Sequence, residues 1–298
     1  MISVLILTKD EEKDLPGCLA SVSWSDDIHV FDSESTDRTA EIAVVSGAKL
    51  TRRTFDGYAS QRNAALHGLE FRYPWALILD ADERIPTPLA EEIRAFVRKP
   101  PADVVACRIR RRDLFMGTWL KHAQLSPYYI RLVRPERVRY EREINEVLHA
   151  DGPIHDLREP FDHFPFSKGL AHWFDKHNRY STLEARILLQ SRRGAVPFSL
   201  RKALCSGDFH ERRYHQKAFF YRLPGRPLIK WLYMVALRGA YLDGRAGLTY
   251  AILQFIYECM ISIKTIELEA GERVASAAVP VVLSRSDDGD DQGRGFAR

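Results

Sequence analysis

The sequence predicts an α/β protein: a mixed, mostly parallel sheet flanked by helices, with a helical C-terminal appendage. Three observations carry that expectation. Short apolar runs alternate with helical patterns up to about Val97, the run Trp75 to Leu79 empties directly into Asp80-Ala81-Asp82-Glu83, and the chain beyond Lys168 turns helical, then basic, then apolar. Strands alternating with helices at this spacing mean βαβ units and a parallel sheet.

The pairs are Ile2 to Leu7 then Glu11 to Val22, Ile28 to Phe31 then Thr36 to Ser46, Ala48 to Thr51 then Tyr58 to Leu69, and Trp75 to Leu79 then Pro88 to Val97. Thr87 before Pro88, with Glu91 and Glu92 following, has the form of a helix start: a capping hydroxyl, proline at the first helical position and acids in the first turn. Val104 to Ile109, Tyr129 to Val133 and Arg137 to Tyr140 read as antiparallel strands, which makes the sheet mixed. Lys168 to Leu189 spaces Trp173, His177, Tyr180, Leu183 and Ile187 as one long helix, on which His177 packs rather than ligates. Leu228 to Leu242 and Leu248 to Ile266 are apolar but interrupted by Lys230, Arg238, Glu258 and Lys264, which suits interfacial helices better than uncharged membrane spans, although buried core helices would explain the apolar residues alone. Residues 1–165 are expected as the α/β domain, 166–270 as a helical, basic and apolar region, and 271–298 as a disordered tail.

A chain of 298 residues holds a full core but not two independent enzymes. Its net charge of +4 is unevenly spread, with eleven basic residues from Arg186 to Lys230 against Asp208 and Glu211. That stretch implies an anionic partner: nucleic acid, an acidic membrane surface or a phosphorylated substrate would satisfy it. Cys18, Cys107, Cys205 and Cys259 lack zinc spacing and are too few for a disulfide scaffold, which fits a reducing cytoplasm. The N-terminus enters a strand pattern at Ile2 without a signal-peptide pattern, so a cytoplasmic protein is expected.

Asp80, Asp82 and Glu83 are hard oxygen ligands at a strand mouth. Mg²⁺ and Mn²⁺ bind such sites through one or two carboxylates while substrate phosphates complete the shell. Three acids in four residues repel one another unless a cation or water screens them, though a plain turn capped by Asp82 or Glu83 is the simpler alternative. Ligands of open α/β sheets bind beyond the carboxyl ends of the strands, where Thr8 to Glu12, Asp32 to Asp37 and Asp80 to Glu83 all fall. The first of these loops has no Gly-rich phosphate cradle. Its acids suit a nucleobase or ribose and leave a diphosphate to a cation at Asp80 and Asp82; capping by Asp10, with Glu11 and Glu12 in the first helical turn, is a compatible role.

Thr8-Lys9-Asp10-Glu11-Glu12, Asp32-Ser33-Glu34-Ser35-Thr36-Asp37-Arg38-Thr39, Gln61-Arg62-Asn63 and Asp80-Ala81-Asp82-Glu83, in this order and spacing, resemble the family 2 inverting glycosyltransferases of the GT-A fold. The branch resembled is the one that builds bacterial lipopolysaccharide core and other envelope glycans. The likeness spans about residues 1–165, and Tyr241-Leu242-Asp243-Gly244-Arg245-Ala246-Gly247 resembles that branch's C-terminal segment. It implies a sugar moved from a nucleotide-diphosphate sugar to a hydroxyl of an envelope glycan or lipid-linked acceptor. It further implies that Thr8, Asp10, Glu11, Asp32 and Ser35 face the nucleoside, that Gln61, Arg62 and Asn63 border the donor phosphates and sugar beside Asp80 and Ala81, and that Asp80 and Asp82 hold Mg²⁺ or Mn²⁺.

Where many relatives carry His-Glu, this chain has Asn145-Glu146. An inverting transfer needs a base for the acceptor hydroxyl. Glu146 is the first candidate and Glu143 the second, unless Glu146 only pairs with Arg131 or Arg142. No nucleic acid is expected; the basic and apolar C-terminal segments would hold the enzyme peripherally at the inner face of the cytoplasmic membrane. Two rival readings are a sugar-1-phosphate nucleotidyltransferase, which would need a basic, Gly-rich first loop, and a non-catalytic nucleotide- or glycan-binding module, which would not need every carboxylate.

Overall fold

The computed structural model describes residues 1–141, 147–193, 199–207, 209–221 and 223–277. β1 (Ser3–Thr8), α1 (Leu15–Ser21), β2 (Ile28–Asp32), α2 (Thr39–Val45), β3 (Lys49–Arg52), α3 (Tyr58–Gly68) and β4 (Ala76–Asp80) are the expected alternation, and β2 and β4 flank β1 in parallel with β3 outside β2. There follow β5 (Glu83–Arg84), α4 (Thr87–Arg98), β6 (Ala106–Phe115), β7 (Thr118–Trp119) and β8 (Tyr128–Val133). β8 runs antiparallel to both β4 and β6, so the sheet is mixed. Among the described residues β9 (Val138–Glu141) pairs only with β10 (Val147–Ala150), so the strand expected at Arg137 to Tyr140 leaves the main sheet for a separate ribbon. β11 (Ile154–Asp156) and β12 (Phe161–His163) both run parallel to β6.

β1 and β4 are buried on both faces, which is why they read as unbroken apolar runs. Ile6, Leu77 and Leu79 pack with Leu15, Leu89 and Ile93 of α1 and α4 on one side. Leu5, Ala76 and Ile78 pack with Ala65 and Leu66 of α3 on the other. Their loops are left at the carboxyl edge of the sheet.

Helix starts differ from the sequence reading. α1 begins at Leu15 rather than Glu11 because Asp10 is left-handed (φ 54°) and Glu11 to Asp14 form a turn. Thr87 does not cap α4: Pro86 occupies the cap position, no side chain bonds there, and the first turn holds no acid. The C-terminal helices are α5 (Gly169–Arg193), α6 (Leu200–Cys205), α7 (Phe209–Phe220), α8 (Arg226–Leu232) and α9 (Gly244–Ala277). Where one helix was expected from Leu228 to Leu242, α8 passes into a π turn at Tyr233–Leu237, breaks at left-handed Gly239 (φ 73°) and continues as a 3₁₀ turn at Ala240–Asp243. α9 continues past Gly271, where the tail was expected to begin; residues 278–298 lie outside the described residues.

The chain divides into two compact units. One is Met1–His177 with Pro224–Ile256, the other Asn178–Leu223 with the chain from Tyr257 onward. Within the second, Lys264 Nζ donates to the carbonyl and Oδ1 of Asn178 (2.5 and 2.6 Å), to Ser181 Oγ (2.9 Å) and to Thr182 Oγ1 (2.8 Å), which ties α9 to α5. Among the described residues one helical stretch, Ala240–Gly271, is long and apolar enough to cross a membrane.

Candidate active site

At the mouths of β1 and β2 the acids are spent on organising the loops. Asp32 is fully buried; its carboxylate accepts from Thr8 Oγ1 at 2.9 Å, from the Ser35 amide at 2.9 Å and from the Ser35 hydroxyl, with the Arg52 guanidinium 3.4 Å away. Asp10 accepts from the Thr36 amide at 2.8 Å, and that bond is the largest cause of its lowered pKa. In return, Ser35 Oγ accepts from the Asp10 amide (2.8 Å), Thr39 Oγ1 from the Glu11 amide (2.7 Å) and Asp37 from the Glu12 amide (3.0 Å). Lys168, just before α5, donates to the Asp10 carbonyl at 2.9 Å and to Glu11 Oε1 at 2.7 Å. Burial lifts the Glu11 pKa to about 7 against the pull of Lys168.

On α3 the three expected donor contacts take different parts. Gln61 is buried, donating to Ser33 Oγ (3.0 Å) and accepting from Arg53 (2.7 Å). Asn63 exchanges two 2.8 Å bonds with the backbone of Tyr140, a side-chain imitation of a strand pair that clasps β9. Arg62 reaches Asp80 Oδ1 at 3.0 Å.

Asp80, expected as half of a metal pair, is committed on both oxygens: Arg62 holds Oδ1 and Arg131 holds Oδ2, each at 3.0 Å. Burial would raise its pKa, but the two guanidinium groups outweigh that and hold it well below the usual carboxylate range. Glu83 is buried, accepts from the Asp80 amide at 3.1 Å and from Arg131, and is pushed up to about 7 by burial. Arg131 thus serves Asp80 and Glu83. Ala81 is buried, and its carbonyl accepts from Arg84 at 2.7 Å.

Asp82 meets a residue that the sequence reading did not single out. β12 pairs His163 with Asp113 of β6 on one side and with Glu83 of β5 on the other, which sets the imidazole between two carboxylates. Its Nδ1 bonds Asp113 Oδ1, and its Nε2 lies 3.3 Å from Asp82 Oδ2. Two ligand atoms on adjacent octahedral positions of Mg²⁺ stand about 3 Å apart, so Asp82 and His163 fit one divalent ion, with Asp113 orienting the ring from behind. Among the described residues no cluster of three or more His, Cys, Asp or Glu side chains is placed to hold an ion by itself, so substrate oxygens and water would have to complete the shell. Asp82 and His163 open, with Glu11, Lys168, Phe166 and Tyr250, onto a cavity of about 300 Å³ within the first unit. His177 also lines it, its ring stacked on Trp173 at 3.7 Å and its Nδ1 donating to the Trp173 carbonyl at 2.8 Å. Glu143 and Glu146 lie outside the described residues.

Against known proteins, the family described as Glycosyl transferase family 2 matches residues 3–153. The lipopolysaccharide core biosynthesis glycosyltransferase LpsC of Rhizobium meliloti is 24% identical over 285 residues, covering 90% of this chain and 93% of LpsC. The uncharacterized glycosyltransferase RP128 of Rickettsia prowazekii is 36% identical over 213 residues, covering 67% of this chain and 72% of the relative. A TPR repeat-containing protein of Synechococcus elongatus is 32% identical over 149 residues, and the match spans only 35% of that relative. Among solved structures, S. aureus TarS 1-349 in complex with UDP-GlcNAc is 16% identical with a TM-score of 0.41, over 90% of this chain and 91% of that one.

Proposed function

The chain belongs to glycosyl transferase family 2, and on that premise we propose that it moves a sugar from a nucleotide-diphosphate sugar, with inversion, to a hydroxyl of an envelope glycan or lipid-linked acceptor at the inner face of the cytoplasmic membrane. The observation that carries the reading is the row Asp82, His163 and Asp113 at the mouth of the cavity, with Asp82 Oδ2 and His163 Nε2 3.3 Å apart. Likeness to LpsC over 90% of the chain supports the envelope acceptor.

Asp82 and His163 would hold Mg²⁺ or Mn²⁺, which when bound neutralises charge on a departing nucleoside diphosphate. Arg62 and Arg131 keep Asp80 an oriented anion, suited to accept from donor hydroxyls. The interlocked loops at Thr8 to Glu12 and Asp32 to Thr39 offer the nucleoside a seat held by bonds between the two loops, with Glu11 Oε2 left as a buried acceptor still to be satisfied, so little has to be ordered on binding. Glu146 is the proposed base for the acceptor hydroxyl. It directly precedes β10, which pairs with β9, the strand that Asn63 clasps.

Asp82→Asn is expected to lower turnover at saturating Mn²⁺ by at least about a hundredfold, the usual worth of one group that stabilises transition-state charge. The thermal midpoint should hold, because the Asp82 side chain is partly exposed. Turnover of a panel of nucleotide sugars, followed with and without chelator, checks it. Wild-type rates in the variant, or an undiminished parent enzyme in excess chelator, overturn the metal assignment.

A further inference from the structure

Between Pro224 and Ile256 the surface is apolar to an extent that a free protein face does not require. Leu228, Leu232, Leu237, Tyr241, Leu242 and Ile252 are all exposed, Leu237 by 80%, Tyr241 by 56% and Leu242 by 60%. Extended apolar surface of this kind marks a partner. The charges around it decide which one. That stretch of chain contains four basic residues, Arg226, Lys230, Arg238 and Arg245, and a single acid, Asp243. Asp243 is buried, accepting from the amides of His122 (2.9 Å) and Ala123 (2.7 Å), and Arg226 is buried as well. What faces outward is therefore leucine, isoleucine and tyrosine beside the exposed Arg245 and the half-exposed Lys230 and Arg238, with no outward acid in this stretch. A complementary surface must be apolar within and anionic at its boundary, which describes an anionic bilayer: acyl chains below, phosphates at the level where lysine and arginine stems reach.

The backbone suits that contact. The π turn, left-handed Gly239 and the 3₁₀ turn replace a continuous helix with a corner, and the three most exposed of these side chains sit on it. From that corner α9 runs on with Leu248 and Ile252 exposed at one four-residue step, while Tyr250 and Gln254, at the same step on the opposite side, line the cavity with Asp82 and His163. One helix therefore presents one face outward and the other to the candidate active site.

We propose that the segment Arg226–Ile252 docks the protein on an anionic lipid surface, with Leu237, Tyr241 and Leu242 entering the headgroup boundary and Lys230, Arg238 and Arg245 facing the lipid phosphates. The inference deepens the transferase reading and rests on it for one consequence: the acceptor hydroxyl reaches the cavity on a lipid anchor lying in that same surface. The dense basic stretch from Arg186 is not needed for it. Lys202 of that stretch is paired with Glu211 at 2.8 Å, and Arg226 is buried.

The test is cosedimentation of the full chain with vesicles of phosphatidylglycerol and phosphatidylcholine, and with phosphatidylcholine alone, across a salt series. The wild type should bind the mixed vesicles, release as salt rises and bind the neutral ones weakly. L237E/L242E should lose at least about tenfold in binding at every salt concentration, since acids replace inserted side chains. R238Q/R245Q should lose severalfold at low salt only. Circular dichroism melts of both variants, matched to wild type, separate a lost surface from a lost fold. Equal binding to both vesicle types, no binding to either, or variants that bind like wild type would overturn the proposal. So would a concentration-dependent dimer, dispersed by L237E/L242E, in a protein that ignores vesicles, because a second copy would then cover the face. Vesicle binding lost while nucleotide sugar is still turned over overturns this inference alone; vesicle binding intact with no nucleotide-sugar turnover overturns the transferase reading instead.

Discussion

His163 is held by a carboxylate on each ring nitrogen, Asp113 at Nδ1 and Asp82 at Nε2. Burial disfavours its charge, but the two carboxylates outweigh burial and raise its pKa to about 9. An ion between Asp82 and Nε2 would replace that proton, and what keeps Nε2 aimed at Asp82 is the bond that Nδ1 makes behind it. Asp113→Asn should therefore weaken Mn²⁺ affinity by about 10- to 100-fold while leaving the rate at saturating Mn²⁺ close to wild type. Titrating turnover with Mn²⁺ reads the two effects separately, and an unchanged Mn²⁺ midpoint would reduce Asp113 to a packing residue. Asp82 was legible in the sequence because an acid cluster after an apolar run declares a strand mouth. His163 was not, because it enters from a three-residue strand whose pairing to β6 and β5 exists only in the folded sheet. The one available signal was a histidine beside Asp162, set between Phe161 and Phe164 just ahead of Pro165. Asn63, which the resemblance sets beside the donor, has its amide paired with the Tyr140 backbone, a partner that lies 77 residues away in sequence and that no local pattern announces.

The strands carried the clearest signal, since a strand buried on both faces must be apolar throughout, and β1, β2 and β4 fall within a residue or two of their expected bounds. Helix starts were less legible. Asp10 and Thr87 have good capping chemistry, yet tertiary bonds claimed Asp10 for the neighbouring loop, and Pro86 took the cap position ahead of Thr87. The segment from Tyr241 to Gly247 shows what such a motif does once folded. Asp243 fastens the turn at His122 and Ala123, and a Cβ on Gly247 would lie 2.0 Å from the Ala240 carbonyl oxygen, so only glycine lets the start of α9 come this close. Asp243→Ala leaves two amides without their acceptor beside the β7–β8 connection and should cost about 2–4 kcal/mol. A thermal midpoint lowered by at least roughly 5 °C checks this, and a shift under roughly 1 °C would show that water replaces the carboxylate without loss.

At the scale of the whole molecule, chemistry and stability occupy opposite edges of the sheet. The carboxyl edge holds the cavity; the amino edge is drawn together by Asp27, whose carboxylate accepts from Ser3 Oγ (2.5 Å), Lys49 Nζ (2.7 Å), the Arg72 amide (2.9 Å) and His29 (3.0 Å). Those partners lie at or just before the starts of β1 to β4, so one buried anion joins four strands. Burial pushes the Asp27 pKa up, but the bonds from Lys49, Ser3 and the Arg72 amide outweigh it and leave it well below the usual carboxylate range. The folded pKa is depressed, so the stability it contributes is fully present above the unfolded value of about 3.9 and is lost as pH falls toward the folded value. Asp27→Asn should thus cost about 2–3 kcal/mol near neutral pH, and the deficit should shrink steadily below about pH 4 as the parent's own carboxylate protonates. His29 is a complication: burial lowers its pKa, and its charging on acidification depends on Asp27. The comparison is therefore made with His29→Gln in both proteins. Urea midpoints across the acid range decide the matter: a deficit as large at pH 3 as at pH 7 would mean that Asp27 contributes through its shape and hydrogen bonds alone, not through its charge.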